Sequence, residues 1–154
     1  WVGSLMTPAG PVEGGAVDVD VTVTSALDEV FGAVFAATAT DPADSAERLA
    51  ALSRIEAPRF FARLEVDGQP AAIGASAVEG QWAGIFGMRT APNHRRQGYA
   101  ARILSTLLAK ARQAGATKAY LQVEAANVGA IPIYQRAGFE VAYRYYYWTR
   151  LAAH

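Results

Sequence analysis

Cysteine is absent from the 154 residues. Neither a disulfide nor a thiolate metal site can therefore be built, and the composition suits a reducing, cytoplasmic setting. Only two histidines occur, His94 and His154. Neither belongs to an HExxH spacing, so a metal enzyme is not expected. No charge of one sign dominates, because 14 Lys and Arg balance 14 Asp and Glu at a pI near 6.9. Nucleic-acid binders ordinarily show a clustered basic excess, so no nucleic-acid partner is expected. Long apolar runs are missing as well: none approaches the roughly 18 residues that span a bilayer. No basic-then-apolar leader opens the chain, so no membrane partner is expected. The chain begins at Trp1, not methionine, as a piece of a longer one would. What is present is 52% hydrophobic and 18% charged residues, enough for one domain with a substantial core.

Residues 1–15 hold Pro8, Gly10, Pro11, Gly14 and Gly15, a composition that reads as an arm or linker before a domain over 16–154. Val17, Val19, Val21 and Val23 alternate with polar residues as a half-buried strand does. Ser25 is placed to cap a helix carrying Leu27, Val30, Phe31, Val34 and Phe35 on one stripe. A second helix is expected from about Ser45 to Ile55, ended by Pro58. Three antiparallel strands follow: Phe60 to Val66, Ala71 to Val78 and Trp82 to Thr90, with hairpin turns at Asp67-Gly68 and Glu79-Gly80. Gly84 and Gly87 in the third suggest a bulge or a close backbone approach.

An amphipathic helix then carries Ile103, Leu104, Leu107, Leu108 and Ala111, with Gly115 as its stop. Ala119, Leu121 and Val123 read as a buried strand, Gly129 to Ala137 as a short helix, and Phe139 to Trp148 as a closing strand. The order β, α, α, β, β, β, α, β, α, β predicts an α/β fold: a mixed, mostly antiparallel sheet with helices on both faces.

Chemistry concentrates between the third antiparallel strand and the amphipathic helix. There Arg95-Arg96-Gln97-Gly98-Tyr99-Ala100 opens the helix. Free N–H groups at a helix start, the helix dipole, two arginines and the small residues Gly98 and Ala100 make a cradle for a phosphate group. A P-loop GxxxxGK[ST] is absent, and so is GxGxxG after a first strand.

Arg95-x-x-Gly98-x-Ala100 matches Q/R-x-x-G-x-G/A, the signature between the fourth strand and third helix of the GNAT acyl-CoA N-acyltransferases. Leu121-Gln122-Val123-Glu124, then Asn127, Ala130, Tyr134 and Gly138-Phe139, resembles the strand-then-helix pattern of the same superfamily. The resemblance covers about Val17 to Trp148. It implies the GNAT fold and acetyl transfer from acetyl-CoA to a primary amine, by direct attack in a ternary complex without metal. By it, Met88, Arg89 and Thr90 would hold the pantetheine arm through the main chain. Arg95, Arg96, Gln97, Gly98, Tyr99, Ala100 and Ala101 would hold the pyrophosphate. A backbone N–H beside Thr90 would face the oxyanion, and Tyr134 would protonate the departing thiolate. Asn127 would either contact the cofactor or cap the short helix.

Gln122 departs from the ribosomal-protein alanine N-acetyltransferases, a branch with a catalytic glutamate there; glutamine cannot act as a base. Glu79 and Glu124 are other candidates, and the base stays unassigned. Pro132 lacks the N–H that a helix interior needs, so regular bonding should begin near Gly129 or Ala130. His94 is read as a phosphate-side or surface residue. Tyr143, Tyr145, Tyr146, Tyr147 and Trp148 are read as core packing, an acceptor wall or a homodimer contact. The acceptor amine carries no recognisable signature. A non-catalytic acyl-CoA-binding sensor is the alternative from another class.

Overall fold

The computed structural model describes residues 2–8, 18–38, 42–56, 58–124 and 129–146. Its elements are β1 (Val2–Pro8), β2 (Val21–Thr24), α1 (Glu29–Ala37), α2 (Pro42–Ser53), β3 (Arg59–Val66), β4 (Gln69–Glu79) and β5 (Trp82–Thr90). After a 3₁₀ turn at Pro92–His94 come α3 (Tyr99–Gln113), β6 (Lys118–Glu124), α4 (Ile131–Arg136) and β7 (Phe139–Tyr146). The seven strands form one sheet in the order β2-β3-β4-β5-β6-β1-β7. Neighbours from β2 to β5 are antiparallel, β6 runs parallel to β5, and β1 is antiparallel to both β6 and β7. The parallel step needs a crossover, which α3 supplies. The mixed sheet with helices on both faces matches the expectation.

Each face of the sheet has its own core. On one, Ile103, Leu104, Leu107 and Leu108 of α3 pack on Ala62, Leu64, Ala72, Ile85 and Leu121, joined by Tyr134 and Phe139. Each of those four α3 side chains contributes about 1.5–3 kcal/mol by burial. Together they are comparable with a domain's net stability of about 5–15 kcal/mol. On the other face, Phe31, Val34 and Phe35 of α1 and Leu52 of α2 cover Phe61, Ile73 and Ala75. The Phe31 and Phe61 rings meet edge to face at 5.5 Å.

The amino-terminal reading needs correction. Residues Val2–Pro8 are no arm: they form a strand in the sheet, with Ser4 opposite Val123 and Arg144, and with Ser4 and Met6 buried. The pairing partners lie more than a hundred residues away, so nothing local announces the strand. The valine alternation is also broken. Val19 is 95% exposed, and the regular strand starts only at Val21. Asp18 instead turns the chain, its carboxylate accepting from the Asp20 N–H at 3.0 Å and from Arg102 of α3 at 2.6 Å.

Asp28, not Ser25, caps α1, its side chain accepting from the Phe31 N–H at 2.9 Å and pairing with Arg63 of β3. Helix α2 begins at Pro42 rather than Ser45, since proline suits a first helical position where the N–H is orphaned anyway. Pro132 behaves as expected: α4 begins at Ile131, and its first bonds run from Ile133 and Tyr134 to the Ala130 carbonyl.

Candidate active site

The central feature is a parting of two strands. β5 and β6 pair from Trp82–Lys118 only as far as Ile85–Leu121. β5 then continues to Thr90 and β6 to Glu124, so the last residues of both have no partner in each other. Gly87 lies at the start of the divergence with φ of 61°, and the β4–β5 register shifts beside it. A side chain there would be strained by that backbone and would press on Leu52, 3.2 Å from an added Cβ. Glycine thus permits the bulge that steers β5 away from β6. Beyond Ile85 the main chain of β5 is thus not paired with β6, the kind of strand edge to which an extended chain can be added.

After β5 the chain enters the loop read from the sequence as a phosphate cradle. Left-handed residues at Arg96 (φ 64°) and Gly98 (φ 80°) curl the loop into a concave run of the sort that binds anions. Gly98 is the cap residue of α3, and no side chain caps that helix. The amides of Tyr99, Ala100 and Ala101 precede the first helical bond, from the Arg102 N–H to the Gly98 carbonyl at 3.3 Å. Arg95, Arg96, Gln97 and Gly98 are exposed. These amides, the dipole and two solvated guanidinium groups fit a pyrophosphate. His94 ends the 3₁₀ turn with its ring 6.1 Å from that of Tyr99. Asn127 lies outside the described residues.

The two faces of β5 diverge in role beyond Gly87. Met88 packs toward Ile103 and Leu107 of α3, where its sulfur would meet a Cβ placed on Gly74. Arg89 points the other way, its guanidinium over the Phe35 ring at 4.9 Å. Tyr134 belongs to the α3-side core, 8% exposed, with its ring 6.4 Å from that of Phe139. Burial pushes the Tyr134 phenol above its ordinary value near 10, and the positive charge of Arg89 partly offsets that rise. Tyr134 therefore holds its proton throughout the neutral range.

Residues 26–139 match the family model described as acetyltransferase (GNAT). The chain belongs to that family. Among curated proteins it is 32% identical, over 80 residues, to the ribosomal protein bS18-alanine N-acetyltransferase of Escherichia coli K12, covering 52% of this chain and 54% of that protein. The chain thus spans about half the length of the curated relatives it matches. Among solved structures, a GNAT-family protein from Novosphingobium aromaticivorans superposes with a TM-score of 0.70 at 24% identity, covering 93% of this chain and 60% of that one. The E. coli ribosomal-protein-S18-alanine N-acetyltransferase gives 0.62 at 23%, covering 77% and 76%. At these identities the superpositions speak for the GNAT fold alone.

Other acid–base candidates find weaker support in this GNAT frame. Glu79 is exposed at the hairpin end of β4, opposite Trp82 and away from the gap. Gln122 is exposed on β6. Among the described residues no group of His, Asp and Glu is arranged to hold a metal, and no helix is long and apolar enough to cross a membrane. Tyr143 is 56% exposed on β7, which argues against core packing for that residue; Tyr147 and Trp148 lie outside the described residues. Two groups at the gap were not singled out for their side chains by sequence reasoning: the Arg89 guanidinium and the Phe35 ring beneath it. Only the strand alternation between Met88 and Arg89 hinted that the pair would divide across the sheet.

Proposed function

We propose that this GNAT domain transfers an acetyl group from acetyl-CoA directly to a primary amine bound on the α1 side of the sheet. The parting of β5 from β6 after Ile85 and Leu121, with the uncapped start of α3 following β5, is the observation that carries this reading. In it, the pyrophosphate rests on the amides after Gly98, and the pantetheine arm lies along the main chain of Met88, Arg89 and Thr90. The amine nitrogen attacks the thioester carbon, and a main-chain N–H beside Thr90 donates a hydrogen bond to the oxygen on which charge develops. As the C–N bond forms the C–S bond breaks, and Tyr134 gives its proton to the leaving thiolate. The amine's own proton passes to solvent or to a base not yet assigned.

Gln122 argues against carrying over the alanine N-acetyltransferase's base, and the match to that relative covers only half of each chain. Its acceptor is therefore not assigned to this protein. Free-thiol release with acetyl-CoA across a panel of amines tests the proposal, and Tyr134→Phe tests the acid. Loss of a positioned acid should lower kcat on the order of 10²-fold, with coenzyme A still binding. Full activity in that variant would remove Tyr134 from the mechanism. Binding of coenzyme A without acetylation of any amine would favour a sensor domain.

A further inference from the structure

Arg102 stands in the first turn of α3, where a cation opposes the positive end of the helix dipole. Its place there calls for a reason other than helix stability. Its backbone N–H makes the first bond of the helix, to the Gly98 carbonyl, and so joins the exposed residues Arg95 to Gly98 to α3. Its side chain runs to the turn before β2. Arg102 Nε donates to Asp18 Oδ2 at 2.6 Å, and Nη2 donates to Asp18 Oδ1 at 3.0 Å and to Asp20 Oδ2 at 3.1 Å. One turn further along α3, the Oγ1 of the buried Thr106 accepts from the Asp18 N–H at 3.3 Å. Asp18 is fixed to the sheet in its turn. Its carbonyl accepts from the Val21 N–H at 3.1 Å, where β2 begins opposite Leu64 of β3.

We propose that Asp18 and Arg102 are positioning residues for the cofactor. Their pair ties the first turn of α3, and with it the loop that would carry the pyrophosphate, to the β2 end of the sheet. This rests on the acetyltransferase reading above, and Arg102 is in it a tether and not a phosphate ligand. Two features of the surroundings favour that role. Ile103, Leu104, Leu107 and Leu108 hold α3 onto the sheet, but apolar burial is non-directional, whereas a bidentate guanidinium–carboxylate pair fixes geometry. Asp18 and Asp20 also outnumber Arg102 in charge, which leaves net negative charge near a helix start suited to an anion. That charge repels a phosphate, a cost that is offset where the same carboxylates hold the loop in its binding shape. Arg102 is 37% exposed and Asp18 22%, so the expected effect is moderate.

Calorimetric titration with coenzyme A, which needs no turnover, compares wild type with Asp18→Asn, Arg102→Met and the double variant. A tethering arginine and a phosphate-binding one differ in sign for Asp18→Asn. Loss of a tether weakens binding, whereas a phosphate ligand freed from a competing carboxylate binds more tightly. Each single variant should weaken binding by about threefold to tenfold, the range of a partly exposed bidentate pair. The double variant should be no worse than the weaker single one, since either change breaks the same contact. In turnover, the KM for acetyl-CoA should rise by the same factor with kcat held, and Arg102→Lys should recover part of it. Asp28→Ala, which weakens the fold at α1, is the control and should bind coenzyme A as wild type does. Tighter binding in Asp18→Asn overturns the proposal in favour of a phosphate ligand. Unchanged binding in both single variants, or an equal loss in Asp28→Ala, overturns it by leaving the pair a part in stability alone. A wild type that binds no coenzyme A removes the acetyltransferase reading and this one together.

Discussion

Replacing Gly74 by alanine probes the packing that sets the position of β5. A Cβ on Gly74 would lie 2.4 Å from the Met88 sulfur, 2.8 Å from Ile103 Cγ2 and 3.1 Å from Leu107 Cδ1. The first two distances are too short to persist. Ile103 and Leu107 are fully buried in the α3 core, so the Met88 thioether, flexible and only half-buried, must move most. Overpacking of this kind costs about 1–3 kcal/mol. For a domain of this size each kcal/mol lowers Tm by roughly 2–4 °C, which puts Gly74→Ala about 2–12 °C below wild type. The cost should be shared with function, because Met88 is in the part of β5 that faces the gap. Acetyl-CoA should bind Gly74→Ala less tightly than wild type. Truncating the obstruction gives the control. In a Met88→Ala background the same glycine substitution should cost less by about 1 kcal/mol, the coupling typical of residues in contact. Thermal denaturation of the four proteins measures that coupling. Equal costs of Gly74→Ala in both backgrounds would refute the claim that Met88 is the group displaced.

Other expectations are simpler. Asp28→Ala removes the α1 cap and should cost about 1 kcal/mol, whereas Asp28→Asn keeps a capping oxygen and should cost less, as urea midpoints would show. The Asp18 carboxyl is held below its ordinary value of 3.8, chiefly by its hydrogen bond with Arg102. A lowered folded-state pKa stabilises above the unfolded value, and that stabilisation disappears as pH falls through the folded value. Asp18→Asn should thus melt below wild type at neutral pH, and the difference should shrink from about pH 4 downward. The raised Tyr134 pKa puts loss of the acid above pH 10. A decline of kcat on the alkaline side of neutrality that Tyr134→Phe abolishes would contradict that assignment.

The strands and helices that pack locally were readable from sequence. α3 announces itself because its apolar residues repeat at helical spacing over four turns. The β3–β4 turn does so because Asp67 and Gly68 take the positive φ angles that the hairpin requires. The loop that opens α3 was legible too, since a helix start after a glycine depends on a short contiguous stretch. Less local features were not. β1 is held by partners in β6 and β7, and its buried serine carries no hydrophobic signal. The start of α1 went to Ser25 in the reading because both Ser25 and Asp28 can cap, and only the Arg63 pairing and chain direction distinguish them. The gap rests on where β5–β6 pairing stops, a relation between two strands that neither one encodes alone. Gly84 and Gly87 hinted at irregularity there, without saying which way the strand would lean.

The placement of β1 also has a kinetic meaning. Val2 lies opposite Tyr146, and Gly3 opposite both Glu124 and Tyr145, so these contacts close loops of well over a hundred residues. Such closures must be made before their pairing energy is gained, and they slow folding toward the millisecond-to-second regime. During synthesis β1 is made long before either neighbour and must wait for both. The β2–β5 meander with α3 can assemble first, whereas the sheet beyond β6 is completed last. Until then β6 presents an unpaired edge with buried-type residues such as Leu121 and Val123, an opening for association with other chains.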